Sequence, residues 1–536
     1  MWLRNILFIA VITGGLALVT ASLLKSDPFP TTTVHPKAAI AETVQQVDAA
    51  FNAHWQTNNA QPTSTAPTLL IARRLSLGLT GTIPSLEEIR ALEVQPEDQR
   101  IAWWCAHLLE DPRTSDYLAE RFARALVGVE NGPFLVYRRR RFVNWLSERL
   151  QANTPYDALV RELIAAEGTW TSAPEANFIT VTIDQNEKTG PSESKLAGRL
   201  TRGFLGVRLD CVECHNDFLH DKWKQQDFHQ LAAFFGPASS GLSGVRDEDK
   251  PYQYALKRGE DPEEITAAVP FLAELLPDDG TLRERLAGWV THPGNRPFAR
   301  SAVNRIWALM LGRPLSSPVD EIPLEAPYPP GMEVLADDFI ANGYDLHRLI
   351  RIIAECQVFQ RDSLSEEGDG HVTSHQETHW AAFGLTRLRP EQVAGSLLQA
   401  ASLETIDASA HIIRRFARAS GQNEFVKRFG DIGEDEFSDQ GGSIPQRLVM
   451  MNGDLIEERT KDDLVMNAAT RLAVVTKDDG IAIESAYLAV LSRRPTIEEK
   501  THFEAKLNGL KDRERKNMLQ DLYWALLNST GFSWGH

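Results

Sequence analysis

The sequence predicts a mainly α protein: a multi-helix chain with two helical domains after an N-terminal anchor and stalk. Three observations predict it. Apolar residues recur at three- and four-residue spacing along most of the chain, helix start and stop signals are explicit, and alternating strand patterns are scarce. With 536 residues, 43% of them apolar, the chain can bury a substantial core and is long enough for two or more domains.

The first element is an apolar run from Ile6 to Leu24, preceded by Arg4 and followed by Lys25-Ser26-Asp27. At about 19 residues it approaches a bilayer span, longer than a usual signal core, although Val19-Thr20-Ala21 resembles a cleavage site. Residues 1–25 are therefore expected to be a signal peptide or, preferably, a membrane anchor, which places the protein in the periplasm or cell envelope. No cysteine follows the run, so lipoprotein processing is excluded. Residues 26–66 read as a stalk, because Pro28, Pro30, Pro36 and the run from Thr57 to Pro67 are too polar and proline-rich to pack. One helix, carrying Val44, Val47, Phe51 and Trp55 on one side, interrupts it.

Residues 67–240 form the expected first domain, 241–280 a linker and 281–536 the second domain. Ser85 with Glu88, and Thr496 with Glu499, are capping boxes, in which hydroxyl and carboxylate satisfy the free N–H groups of a helix start. Thr154-Pro155-Tyr156-Asp157 opens another helix, with proline at its first position. The basic run Arg138 to Arg141 leads into Phe142, Trp145 and Leu146 at helical spacing, and reads as a solvated or ion-paired helix face rather than a phosphate site. Phe298, Ala302, Val303, Ile306, Trp307 and Met310 form an apolar stripe that stops at Gly312, before Pro314. Leu346, Leu349, Ile350 and Ile353 form another after Asn342-Gly343. The best strand pattern is Phe178 to Ile183.

Chemistry concentrates in Cys211, Cys214 and His215, in a chain with only four cysteines. C-x-x-C-H is the signature of covalent haem attachment: two thiols a turn apart bond the vinyl groups, and the next histidine is the proximal iron ligand. A chain of this composition matches it by chance about once in a thousand. The same residues could instead form a disulfide or part of a metal site. A zinc site would want a further ligand, and Cys105 and Cys356 each stand alone in apolar surroundings as core cysteines. The net charge of −17 argues against nucleic acid as a partner. There is no G-x-S-x-G elbow, no H-E-x-x-H, no phosphate loop and no dinucleotide fingerprint. His371, His375 and His379 recur at four-residue spacing, and i, i+4 histidines can chelate a transition metal. Because they follow a loop-like stretch, they read as polar residues of a linker helix.

Short blocks across the chain resemble a known family. They include Arg73-Arg74-Leu-Ser-Leu-Gly-Leu-Thr-Gly81, Phe204-Leu-Gly-Val207, the C-x-x-C-H pentad and Asp227-Phe-His-Gln-Leu-Ala-Ala-Phe-Phe235. They continue through Asn295-Arg-Pro-Phe-Ala-Arg300, Val303-Asn-Arg-Ile-Trp307, Pro318-Val-Asp320, Arg387-Leu-Arg-Pro-Glu391 and Met450-Met-Asn-Gly453. In order and at sensible spacing, these resemble planctomycete-type exported proteins that join the cytochrome-c-like second planctomycete domain to planctomycete-specific domain one. The resemblance implies an architecture more than a reaction. Relatives commonly place a second histidine two residues after the pentad, whereas here Asn216, Asp217, Phe218 and Leu219 precede His220. His220, or else His229, is the substitute candidate for metal binding, and Met450 and Met451 are candidate sixth ligands. Asp210, Glu213, Asp217 and Asp221 surround the motif with negative charge, which would lower a haem's reduction potential.

The expected function is thus an exported, membrane-tethered, c-type cytochrome-like electron-transfer protein with haem c at Cys211, Cys214 and His215, working with a redox partner protein. The alternative is a non-redox envelope scaffold or binding protein in which the cysteines form a structural disulfide or metal site. A third reading is an enzyme acting on envelope polymers, for which no catalytic constellation is visible.

Overall fold

The computed structural model describes residue 32 and residues 37–129, 137–169, 171–183, 190–216, 223–241, 243–256, 261–365, 371–406, 437 and 467–535. The described chain is mainly α, as its periodicity predicts. The apolar run from Ile6 to Leu24, His220, Asp217, Asp221, Met450 and Met451 all lie outside the described residues. No described helix is long and apolar enough to cross a membrane.

Helices α1 (Ala41–Thr57), α2 (Thr68–Thr80), α3 (Leu86–Val94), α4 (Arg100–Glu110), α5 (Pro112–Val127), α6 (Arg139–Gln151), α7 (Tyr156–Ile164), α8 (Asn177–Thr180), α9 (Glu193–Leu200) and α10 (Gln225–Ala232) build the first half. Two short antiparallel hairpins follow, β1 (Ala238–Gly241) with β2 (Gly244–Asp247) and β3 (Gln253–Tyr254) with β4 (Glu263–Glu264). The second half contains α11 (Leu282–Val290), α12 (Arg296–Leu311), α13 (Met332–Ala341), α14 (Leu346–Glu355), α15 (Gln357–Gln360), α16 (Ser374–Thr378), β5 (Thr386–Arg387) and α17 (Pro390–Ala400). Helices α18 (Ala468–Val475), α19 (Asp479–Leu491), α20 (Ile497–Leu507), α21 (Asp512–Leu527) and α22 (Thr530–Ser533) and strand β6 (Trp534–Gly535) complete it. Strand β6 pairs antiparallel with β5, Thr386 opposite Gly535, which returns the chain end to the segment after α16.

The expected caps form. Ser85 and Glu88 close a capping box on α3, as Thr496 and Glu499 do on α20, and Gly312 ends α12 in the left-handed conformation. Pro155 caps α7 rather than occupying its first turn. Of the basic run, Arg139 pairs with Glu120 across to α5 while Phe142, Trp145 and Leu146 turn inward. The strand expected at Phe178 to Ile183 is instead helix α8 and a following turn. Asn177 through Thr180 are all buried, so the segment has no exposed alternate face, and its apolar residues are satisfied by a helical turn within the core.

Two apolar clusters hold the chain together. The larger runs from Ile40 to Phe383 and includes residues from both halves, while the smaller gathers α17 to α21 and Phe532 of α22 around Leu77 and Ile83. The amphipathic helix expected within the stalk is α1, and it is seated in the larger core: Val47, Phe51 and Trp55 are buried, and Phe51 stacks on Trp307 with ring centroids 5.6 Å apart. Each such side chain contributes roughly 1.5–3 kcal/mol on burial. The polar run 57–67, expected as free stalk, is also pinned. Thr63 N–H donates to the Ala381 carbonyl at 2.8 Å and Ala66 N–H to the Gln360 carbonyl at 2.8 Å. With the Asp362 N–H donating to the Ser64 carbonyl at 2.8 Å and Arg361 Nη1 to the Thr63 carbonyl at 2.7 Å, these bonds lay the segment across the second half.

Candidate functional site

Helix α9 is capped by the Ser192 hydroxyl and runs into a single π turn, Thr201–Leu205, a deviation that recurs at functional sites. Gly206 ends the turn at φ +61, where a Cβ would stand 2.9 Å from Ile322 Cδ1, and its carbonyl accepts the Ile322 N–H at 2.7 Å. From there Leu209 and Val212, both buried, draw the 3-10 turn Asp210–Glu213 against α9 and α10. Their burial leaves Cys211, Cys214 and His215 facing out. Both cysteines are exposed free thiols, and His215 is exposed beside them.

The turn is braced from behind. The Glu213 carbonyl accepts from Gln225 Nε2 at 3.0 Å and from His229 Nε2–H at 3.0 Å. The other ring nitrogen of His229 lies 2.8 Å from the Tyr252 hydroxyl and accepts its proton, and the ring stacks on Tyr254 at 3.5 Å between centroids. His229 is fully buried, and desolvation holds its pKa below the ordinary value, the Glu213 contacts opposing it only in part. Both ring nitrogens of His229 are thus occupied by partners within the fold. In this arrangement His229, a substitute ligand candidate by sequence, braces the motif's backbone.

His215 Nδ1–H donates to the Asn216 carbonyl at 2.8 Å, which puts the proton on Nδ1 and the lone pair on Nε2, the tautomer that ligates metals. The donor set fits haem c: two outward thiols one turn apart and a histidine oriented through Nδ1. Of the expected acidic surround, Asp210 is neutralised by a bidentate pair with Arg202, whose guanidinium also lies 3.8 Å from Asp320. Asp210 therefore adds little negative field at the motif. Sequence reasoning did not find Arg202, Tyr252 or Tyr254 because residues 8 to 41 positions from the motif turn leave no periodic signal.

Among the described residues, the one group whose ligand atoms do converge is Glu88, His107 and Asp111. Arg113 occupies it, pairing with Glu88 and with Asp111 at 2.6 Å. Burial pushes the Glu88 carboxyl up, but Arg113, His107 and the Ser85 N–H outweigh it and hold the pKa at about 2. This is an internal ion cluster with its cation already built in. Cys105 and Cys356 are buried core thiols, as expected.

Two protein-family models match regions of the chain. Residues 46–240 match PSCyt2, described as a protein of unknown function (DUF1549), and residues 282–507 match PSD1, likewise a protein of unknown function (DUF1553). The two matched regions follow one another along the chain in that order. The PSCyt2 region begins inside α1, so that helix belongs to the family unit along with the motif turn. No curated protein and no solved structure matches the chain.

Proposed function

We propose that this PSCyt2–PSD1 protein is an exported, membrane-tethered electron carrier of the c-type cytochrome kind. Cys211 and Cys214 would attach the haem and His215 would be the proximal ligand. A bound haem would supply one-electron chemistry between ferric and ferrous iron, exchanged with a partner protein. The chain's own residues do the positioning: Leu209 and Val212 anchor the turn, and His229 and Gln225 fix the Glu213 carbonyl. Asn216 holds the His215 tautomer. The observation that carries the reading is the outward display of two thiols and a metal-competent histidine on a turn fastened from behind by Gln225 and His229. The apolar run from Ile6 to Leu24 supports export and tethering.

The test is haem staining of the denatured full chain made in a host with working cytochrome c maturation. The expected result is a covalent haem band with a sharp reduced α-absorption, abolished in Cys214→Ala. Absence of a band in the wild type refutes haem attachment and moves the assignment to the scaffold reading, in which the cysteines are a thiol or metal site.

A further inference from the structure

The histidine series at 371, 375 and 379 acquires a partner that the sequence does not show. Thr373 caps α16, so His371 lies before the helix, while His375 sits within it and His379 at its C-cap. The fold then brings in His54, from α1 and 325 residues away in sequence. His54 Nε2 is 3.0 Å from His379 Nδ1, and the ring centroids are 5.0 Å apart. His375 meets His379 edge to face with centroids 4.5 Å apart.

We infer that His54, His379 and His375 form a binding site for a divalent transition metal of the zinc and copper class, clasping the PSCyt2 region to the PSD1 region. Two imidazole nitrogens on one tetrahedral zinc, each at about 2.0–2.1 Å, stand roughly 3.3–3.4 Å apart. The His54–His379 pair is within a few tenths of an ångström of that spacing. Three histidines with one position left to water or substrate is a known zinc arrangement, and an i, i+4 pair such as His375 and His379 suits the same metals.

The bases of both principal ligands are anchored. The buried Trp55 indole donates to the His379 carbonyl at 2.9 Å, and Arg313 lies over the Trp380 ring at 3.6 Å while donating to the Glu377 carbonyl. The Asn58 amide stands 3.3 Å from His54 Nδ1 and donates to the His54 carbonyl at 2.8 Å. With an amide hydrogen facing Nδ1, the His54 proton sits on Nε2 and bridges to His379. A metal takes the place of that bridging proton, which moves to Nδ1; the flipped Asn58 oxygen accepts it as an outer-shell partner, at the cost of the amide's bond to the His54 carbonyl. His375 Nε2 donates to the Asn58 carbonyl at 3.0 Å and the three imidazoles do not all converge as they stand, so the third bond needs a rotation of one exposed side chain. His54 and His379 are half-buried, leaving the metal an entry path from solvent.

The experiment is a zinc titration of the full chain carrying Cys211→Ser and Cys214→Ser, so that thiol binding at the motif cannot contribute. The expected result is uptake of one equivalent of Zn²⁺ with a zinc-dependent rise in unfolding temperature. Affinity should fall at least about tenfold in His54→Ala and in His379→Ala. His375→Ala, a change at an exposed position that leaves the core untouched, should lower it less and serves if the other variants do not fold. No stoichiometric uptake by the thiol-free chain, or uptake indifferent to all three substitutions, overturns the inference. Because the haem assay reads the cysteines alone, the two proposals fail separately.

Discussion

His229→Ala should release the motif turn while leaving the helical core intact. The substitution removes two hydrogen bonds, to the Glu213 carbonyl and from the Tyr252 hydroxyl, and one stacked ring against Tyr254. Each bond is worth about 1 kcal/mol net, and the stacking about 0.5–1.5 kcal/mol. The Glu213 carbonyl keeps its bond from Gln225, so no acceptor is stranded there. The loss is therefore about 3 kcal/mol in the free energy that keeps the turn closed. Amide hydrogen exchange across 209–216 reads that local opening directly, and about 3 kcal/mol corresponds to exchange roughly a hundredfold faster. His229→Gln, which can still donate to Glu213, should fall between. The same brace should weaken in acid. Burial depresses the folded pKa of His229, so the opened state binds the proton more readily. Its stabilisation is complete above the unfolded value of about 6.5 and is lost as the pH falls below it toward the folded value. Wild-type exchange, corrected for its intrinsic pH dependence, should thus accelerate from pH 7 to pH 5, and His229→Gln should flatten that profile. Exchange within about twofold of wild type in His229→Ala would refute the reasoning and show that packing of Leu209 and Val212 alone holds the turn.

Two further outcomes follow from the geometry. A thiol reagent at pH 8 should titrate two cysteines of the folded haem-free chain, Cys211 and Cys214, and all four after denaturation, because Cys105 and Cys356 are buried. Burial pushes Cys105 up to about 12 and Cys356 well above its ordinary range, and haem-loaded protein should show none in the folded state. Gly206→Ala should cost about 1–3 kcal/mol, read as a lower urea midpoint, since it forces a Cβ at φ +61 to within 2.9 Å of Ile322 Cδ1.

Local signals in this sequence depend on few residues and are correspondingly secure. The capping boxes at Ser85 and Thr496 each need one hydroxyl and one carboxylate three places on, and both form. The C-x-x-C-H pentad is legible in five consecutive residues. The strand pattern at Phe178 to Ile183 fails because alternation matters only when one face meets solvent, and the core covers both. The polar run 57–67 reads as stalk because its composition records no burial, and its partners, Gln360, Arg361 and Ala381, lie about 300 residues away.

By itself, then, the sequence determined the helical class, the caps, the helix stripes and the cysteine motif, since each is encoded in residues a turn or two apart. Tertiary structure alone decided which side chains serve that motif. It made His229 a buried brace and paired Asp210 with Arg202. It also carried His54 on α1 to His379 beyond α16. These are encounters between distant segments, fixed by how apolar faces such as Phe51 on Trp307 bury against one another, and hydrophobic burial carries no label for the polar residues it brings together.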